Sequence, residues 1–576
     1  MLKTLLKNVG QFKWPTILTP VFTALEVVMG VLIPYVTAWI IDEGILKGDL
    51  GAVWRYGGLM LLLAFLSMTF GILSGVCSAR ASTGFASNLR ASMFRNIQTF
   101  SFANIDKFST AGLVTRMTTD VNNLQNAFQM LLRVSVRAPL NLVSSVVMCL
   151  FISREMSLVF VVALCVLGVA LYMIISRTVK LFAQVFERYD DVNGVVQENV
   201  SAIRVVKAFV REDYENKKFS KAVEALYRLF VKTESLQALN HPVMMVVVYG
   251  CILSISWLGA HLVVGGTMTT GELTSLFAYV MTIMMSLMML SMIFVQLTMS
   301  AASARRVVEV IEERATITSA PVALDTVPCG SVDFEDVSFK YGEDASHNAI
   351  TGITLHIAAG ETVGVMGGTG SGKSTLAALV ARLYDASEGV VRVGGHDVRH
   401  YRLEALRDAV AMVLQKNVLF SGTVLDNLRW GNAAATEEEC RWACRVACAS
   451  EFVEQMPQGY HTMIEQGGAN LSGGQRQRLC IARALLKHPQ VLILDDSTSA
   501  CDTATDARIR QALAREVSGV TTIIVAQRIS SLRDAHRIVV MDGGKIAAVG
   551  THDELLASCD IYRDIHAMQQ ETGTLS

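Results

Sequence analysis

The sequence predicts a six-helix transmembrane domain with long cytoplasmic helical extensions, followed by a soluble α/β domain of the phosphate-loop type with a helical subdomain. Three observations carry this prediction. Apolar residues make up 52% of the 576 and charged residues only 18%, with a mean hydropathy of +0.40. The apolar residues are segregated, in long runs before about Ser300 and in short strand-like runs after about Cys329. A glycine-rich loop of defined spacing lies between a strand-like and a helix-like run of the second half. The boundaries that follow are a transmembrane domain over 1–310, a linker over 311–330 and the soluble domain over 331–576.

Six runs approach the roughly 20 residues needed to cross a bilayer. They lie near 15–41, 56–77, 134–152, 156–175, 242–264 and 273–298. The third and fourth follow so closely that they must form a tight hairpin. Glu26 interrupts the first, and an acid at such a depth marks either a functional site or a hydrogen bond across the bundle. In the sixth, Met281, Met284, Met285, Met288, Met289 and Met292 recur at three- and four-residue steps. Such thioethers suit packing between spans, adaptable contact with apolar cargo, or soft Cu(I).

Loop charge sets the orientation. The connections over 78–133 and 176–241 are rich in Lys and Arg, whereas the short loop "HLVVGGTMTTGEL" has neither. Positive residues stay cytoplasmic, which places both long connections, both termini and the soluble domain inside. The chain is expected to be a multi-pass protein of the cell membrane, with its connections continuing the spans as helical hairpins. The opening "MLKTLLKNVGQFKWP" reads as a retained amphipathic entry helix rather than a signal peptide. A net charge of −1 gives no footprint for nucleic acid. Eleven cysteines without paired spacing fit a reduced setting. Three of them, Cys440, Cys444 and Cys448, read as buried small residues on one helix face rather than as a metal site.

The soluble domain opens with "VDFEDVSFKY", a strand-like alternation ending at Tyr341. In "ETVGVMGGTGSGKSTLAALVARLY" a short apolar strand meets Gly367, Gly368, Thr369, Gly370, Ser371, Gly372, Lys373, Ser374 and Thr375, and then an apolar-periodic helix. The glycines let backbone N–H groups wrap phosphates, and the helix N-terminus favours their charge. Lys373 suits the terminal phosphates of ATP and the Ser374 hydroxyl suits Mg²⁺. This is the pattern of a P-loop ATPase. Further on, "VLILDDSTSACD" is a buried strand with Asp495 and Asp496 at its end, where α/β sheets place ligands. Between the two, "NLSGGQRQRLCIARALL" sets Ser472, Gly473 and Gly474 before a long amphipathic helix. One nucleotide needs one cradle, so this second one is expected to serve a nucleotide bound by another subunit.

The order of "GGTGSGKST", "VLQKNVLF", "LSGGQRQR", "VLILDD" and "SACD" resembles the nucleotide-binding domain of ATP-binding cassette transporters. With six spans ahead of it, the chain resembles a half-transporter of the exporter fold over essentially its whole length. The resemblance implies ATP and Mg²⁺ as cofactors and a role for each matching residue. Tyr341 would stack on adenine, and Gln415 would touch Mg²⁺ and report nucleotide state to the membrane half. Ser472, Gly473, Gly474 and Gln475 would close over a partner's ATP. Ser374 and Asp495 would hold Mg²⁺, and Asp502 would communicate between two composite sites. The segments Phe108–Asp120 and Glu198–Asp213 resemble coupling regions.

Two residues depart from the family pattern. The residue after the Mg²⁺-holding aspartate is usually a glutamate acting as general base; here it is Asp496. Its carboxylate is drawn back by about 1.5 Å, one carbon–carbon bond, and misplacement on that scale can cost about 100-fold in rate. A histidine usually contacts the γ-phosphate after the next strand; here Gln527 stands there, which donates a hydrogen bond but carries no positive charge. The binding parts remain. The chain therefore resembles the degenerate-site subunit of heterodimeric bacterial multidrug exporters, and its expected partner is a second half-transporter with glutamate and histidine in its ATP site. Expected cargo is small and amphipathic or hydrophobic. Alternatives are a lipid, peptide or siderophore transporter of the same fold, or an ATP-gated regulatory membrane protein.

Overall fold

The computed structural model describes residues 1–342 and 347–573. They form two units. One comprises Met1–Gln98 with Ala111–Glu313, and the other comprises Thr99–Thr110 with the chain from Arg314 onward.

The first unit is entirely helical. Its long helices are α1 (Lys13–Trp39), α2 (Leu50–Ile97), α4 (Val121–Ile152), α5 (Arg154–Ser201), α7 (Glu212–Ala238), α8 (Asn240–Val264) and α9 (Thr270–Glu312), with a short α6 (Ile203–Ala208). Among the described residues, six helical stretches are long and apolar enough to cross a membrane: Gly10–Ile45, Leu50–Ile97, Thr110–Ile152, Arg154–Ser201, Glu212–Val264 and Thr270–Leu290. At 1.5 Å per residue a helix of 48 residues such as α2 is about 72 Å long, more than twice a bilayer's apolar core, so it projects well beyond it. A single residue, Ser153, separates the third from the fourth span and caps the latter, its hydroxyl accepting from the Met156 N–H.

Packing supports α1 around one of its interior prolines. Pro34 cannot donate to the preceding turn, and α9 braces the same stretch. The Ser275 hydroxyl donates to the Pro34 carbonyl at 2.6 Å and the Tyr279 hydroxyl to the Val31 carbonyl at 2.7 Å. Tyr279 is fully buried in a core with Val27, Phe160, Leu167, Ile255 and Ile283. Glu26 is also buried, at 8% exposure, and its charge is met by Arg137 at 3.1 Å. Of the methionines in the sixth span only Met284 joins the core; Met281, Met285, Met288, Met289 and Met292 are exposed, so the stripe does not pack within this chain. Just before α4, buried Asp120 accepts a two-pronged bond from Arg306 (2.7 and 2.5 Å) and one from Ser303 at 2.8 Å, tying the start of α4 to the end of α9.

In the second unit an antiparallel sheet contains β1 (Val332–Phe339), β2 (Ile350–Ile357), β4 (Glu388–Val393) and β5 (His396–Asp397). The larger sheet contains β3 (Thr362–Gly367), β6 (Val410–Val413), β7 (Val491–Asp495), β8 (Thr521–Val525), β9 (Arg537–Asp542) and β10 (Lys545–Gly550), in the order β10-β9-β3-β8-β7-β6. Only β10 is antiparallel to its neighbour. All five residues of β7 are buried, as expected of a central parallel strand. The register aligns Val525 with both Val365 and Asp495, so β3, β8 and β7 end side by side.

Helix α10 (Lys373–Val380) follows β3, and a largely helical region between β6 and β7 includes α11 (Glu437–Val446) and α12 (Gly473–Leu485). Cys440, Cys444 and Cys448 are buried in that region's core, and burial pushes the Cys444 thiol up to about 12. Helix α13 (Thr503–Glu516) follows β7, and α14 (Asp560–Gly573) ends the described chain. The short helix α3 (Phe102–Phe108) belongs to this second unit. Asn104 donates to the Arg314 carbonyl at 3.1 Å, and Asp106 accepts from the Tyr384 hydroxyl at 2.7 Å.

Candidate active site

The phosphate loop joins the end of β3 to α10. Gly372 sits at φ +96°, left-handed territory that only glycine enters without strain, and a Cβ there would lie 2.5 Å from Ile350 Cγ2. It also caps α10, whose first N–H groups therefore point into the loop. The Lys373 ammonium folds back along the loop and donates to the carbonyls of Gly367 (2.9 Å) and Gly368 (2.7 Å). Ser371 and Thr375 are buried beneath the loop. The Ser374 hydroxyl donates to Asp495 Oδ1 at 3.0 Å, joining the loop to the end of β7.

Side-by-side strand ends bring the predicted residues together. Thr369, Gly370, Lys373, Ser374, Gln415, Asp495, Asp496 and Gln527 line one cavity of about 110 Å³, with Val525 and Ala526 between them. Burial raises both Asp495 and Asp496 above the usual carboxylate range and lowers Lys373 below its ordinary value. Burial is the largest cause of all three shifts, and the attraction between Lys373 and the two carboxylates offsets it only in part. Asp496 sits at φ +49°, a conformation aspartate tolerates better than most residues. Its N–H donates to the Val525 carbonyl at 2.9 Å, and the Gln415 side chain lines the same cavity as its carboxylate.

Mg²⁺ takes oxygen ligands and is usually held by one or two carboxylates together with substrate phosphates. The Ser374 hydroxyl beside the buried Asp495 carboxylate, with the Gln415 amide on the same cavity, is an oxygen donor set of that kind. The residues present fit the ion.

Three predicted elements lie outside the cavity lining. Tyr341 is 55% exposed; its hydroxyl shares a 2.8 Å hydrogen bond with Thr375, and its ring meets Tyr384 edge-on at 5.3 Å. Ser472 caps α12 in a reciprocal box: its hydroxyl accepts from the Gln475 N–H, and the Gln475 side chain accepts from the Ser472 N–H at 2.9 Å. Asp502 caps α13 by accepting from the Thr505 N–H at 2.9 Å, a bond that holds its carboxyl below the usual range.

Sequence reasoning passed over Gln477. This buried side chain accepts from the Ala500 N–H at 2.9 Å and donates to Ser499 Oγ at 3.2 Å and the Asp496 carbonyl at 3.4 Å. It ties the helix behind Ser472 to the loop leaving Asp496. The available signal was an amide between two arginines, on the face where the helix is otherwise apolar. Tyr384 was also missed; burial and the Asp106 bond raise its hydroxyl pKa.

Six membrane-spanning helices followed by a P-loop domain with this cavity define an ATPase-coupled membrane transporter subunit. The chain belongs to the ABC transporter family. The family's transmembrane region matches residues 16–287, its ATP-binding "ABC transporter" region matches 350–499, and a P-loop domain matches 431–571. An uncharacterized ABC transporter ATP-binding protein of Mycobacterium bovis is 38% identical over 550 residues, 94% of each chain. An ATP-dependent lipid A-core flippase of Desulfotalea psychrophila is 32% identical over 517 residues, covering 89% of this chain and 90% of the flippase. The structure of a bacterial Atm1-family ABC exporter with ATP bound superposes with a TM-score of 0.82 at 25% identity, covering 97% of this chain and 99% of that one. The chain is a multi-pass half-transporter of this exporter fold, with its nucleotide-binding domain cytoplasmic.

Proposed function

We propose that the chain is the slow-hydrolysing half of a heterodimeric exporter for amphipathic or hydrophobic compounds. The observation that carries this reading is the composition of one cavity. Lys373, Ser374 and Asp495, which suit holding Mg²⁺–ATP, share it with Asp496 and Gln527, which suit hydrolysis poorly. When bound, Mg²⁺ would supply positive charge to offset that of the phosphates. The chain's own part is to place the Ser374 hydroxyl and the Asp495 carboxylate beside it, and Lys373 beside the terminal phosphates. Tyr341 offers an exposed ring for the base. Burial raises Asp496 above the usual carboxylate range, the direction that favours a general base, but its carboxylate is one methylene short of a glutamate's reach. Gln527 can donate a hydrogen bond without adding charge.

The capped N-terminus of α12, Ser472 with Gly473, Gly474 and Gln475, stands apart from that cavity and is free to cover a nucleotide on a second subunit. In this reading ATP closes two nucleotide-binding domains, the segments 108–120 and 198–213 transmit the closure, and hydrolysis at the partner's Walker residues resets the cycle. Exposed Val205 in α6, with Phe209 and Val210 at the turn after it, offers an apolar contact for such transmission.

A lipid cargo is the second reading, favoured by the identity to lipid A-core flippases. The test is ATPase activity of the purified chain alone and with a second half-transporter carrying glutamate and histidine. The account expects weak turnover alone and a rise of about 100-fold with the partner, the cost of a misplaced base being removed at one site. Robust turnover by the chain alone would overturn it. Vesicle assays with labelled lipid against a small amphipathic dye separate the two cargoes.

A further inference from the structure

Helix α14 carries a side chain that the reading above leaves unused. Gln569 grips the main chain of the loop after β8 with both ends of its amide. Its Nε2 donates to the Gln527 carbonyl at 2.8 Å, and its Oε1 accepts from the Ile529 N–H at 2.9 Å. A side-chain amide used in this way substitutes for the peptide group of a neighbouring strand. The loop needs one, because β8 and its ladder end at Val525.

Both bodies that meet at this contact are firmly held. In α14, Tyr562 is fully buried and its hydroxyl hydrogen-bonds with His552 Nδ1 at 2.7 Å. On the other side of the loop Ile529 and Leu532 are buried, and the Ser531 hydroxyl donates to Asp506 at 2.8 Å. Residue 527 thus lies between anchored neighbours. It lines the phosphate cavity while a helix about forty residues further along the chain holds its carbonyl.

We propose that Gln569 is a positioning residue: by fixing the main chain at Gln527 it aims the Gln527 side-chain amide at the terminal phosphate and so sets how long this chain's cavity retains ATP. The inference rests on the reading that this cavity holds ATP. Removing the amide leaves the Gln527 carbonyl and the buried Ile529 N–H without that partner and frees residue 527 to rotate.

The test is a double-mutant cycle on the purified full chain, reading the release of a fluorescent ATP analogue in the presence of Mg²⁺. Gln569→Ala should speed release about five- to tenfold, the usual worth of one or two such hydrogen bonds. Gln569→Glu keeps the acceptor for Ile529 but turns a carboxylate oxygen toward the Gln527 carbonyl, so it should release as fast as the alanine variant. In a Gln527→Ala background, Gln569→Ala should add nothing further, because alanine keeps the gripped carbonyl but has no side-chain amide left to aim. A helix that merely stabilised the domain would give equal effects in both backgrounds, and that additivity, or unchanged release in both position-569 variants, would overturn the proposal. Thermal unfolding of each variant identifies any that fails to fold; the glutamate variant then carries the cycle. Phosphate release by the same wild-type sample reports separately on the slow-hydrolysis reading. Fast release there would refute that reading and leave the cycle intact.

Discussion

Two helix N-termini in this domain look alike and are built differently. That of α10 opens from a glycine turn at φ +96°, and its neighbours supply a lysine, a serine and two carboxylates to one cavity. That of α12 is closed by its own side chains, Ser472 and Gln475, and contributes no residue to the cavity's lining. The first has the chemical parts for a nucleotide and its metal. The second has backbone donors and a hydroxyl but no cation and no acid. The difference shows that a helix dipole alone is not a site. Under the proposed function, the α12 terminus becomes one only when another chain brings phosphates to it.

Substitutions at the two termini should therefore separate cleanly. Gly372→Ala is expected to have the largest effect, since it places a Cβ 2.5 Å from Ile350 Cγ2 at a left-handed residue. Strain and crowding of this kind cost a few kcal/mol together, so ATP affinity of the purified chain should fall by about 100-fold in a binding titration. Ser472→Ala should leave that titration unchanged. In the proposed heterodimer it should lower turnover about tenfold, the worth of one hydrogen bond to a charged phosphate. If Ser472→Ala weakened the chain's own binding as much as Gly372→Ala, the distinction between the termini would be lost.

Much of the candidate site's layout was legible because its signals are local. The loop from Gly367 to Thr375 is one run of residues whose glycine spacing states its conformation, and the all-apolar Val491–Leu494 states a buried strand with its acids at the end. Six spans were legible for the same reason, as was the hairpin turning at Ser153. Contacts between distant segments were not. Gln477 reaches residues 496–500, Gln569 reaches 527–529, and Tyr384 meets Asp106 across 278 positions. None of these pairs leaves a period or a spacing to read. Asp120 with Arg306, and Glu26 with Arg137, show the same limit: a buried acid was visible in the sequence or could have been, but which arginine answers it depends on helix packing.

The central claim concerns the wall of the cavity rather than its cradle: Asp496 and Gln527 make it a place that keeps ATP. Single-turnover hydrolysis of pre-bound ATP tests this most directly, comparing the wild-type chain with the double variant Asp496→Glu, Gln527→His. Restoring the longer base and the cationic contact should raise the rate of conversion by about 100-fold while leaving ATP affinity within about threefold. Equal conversion rates in the two proteins, whether fast or slow, would contradict the account.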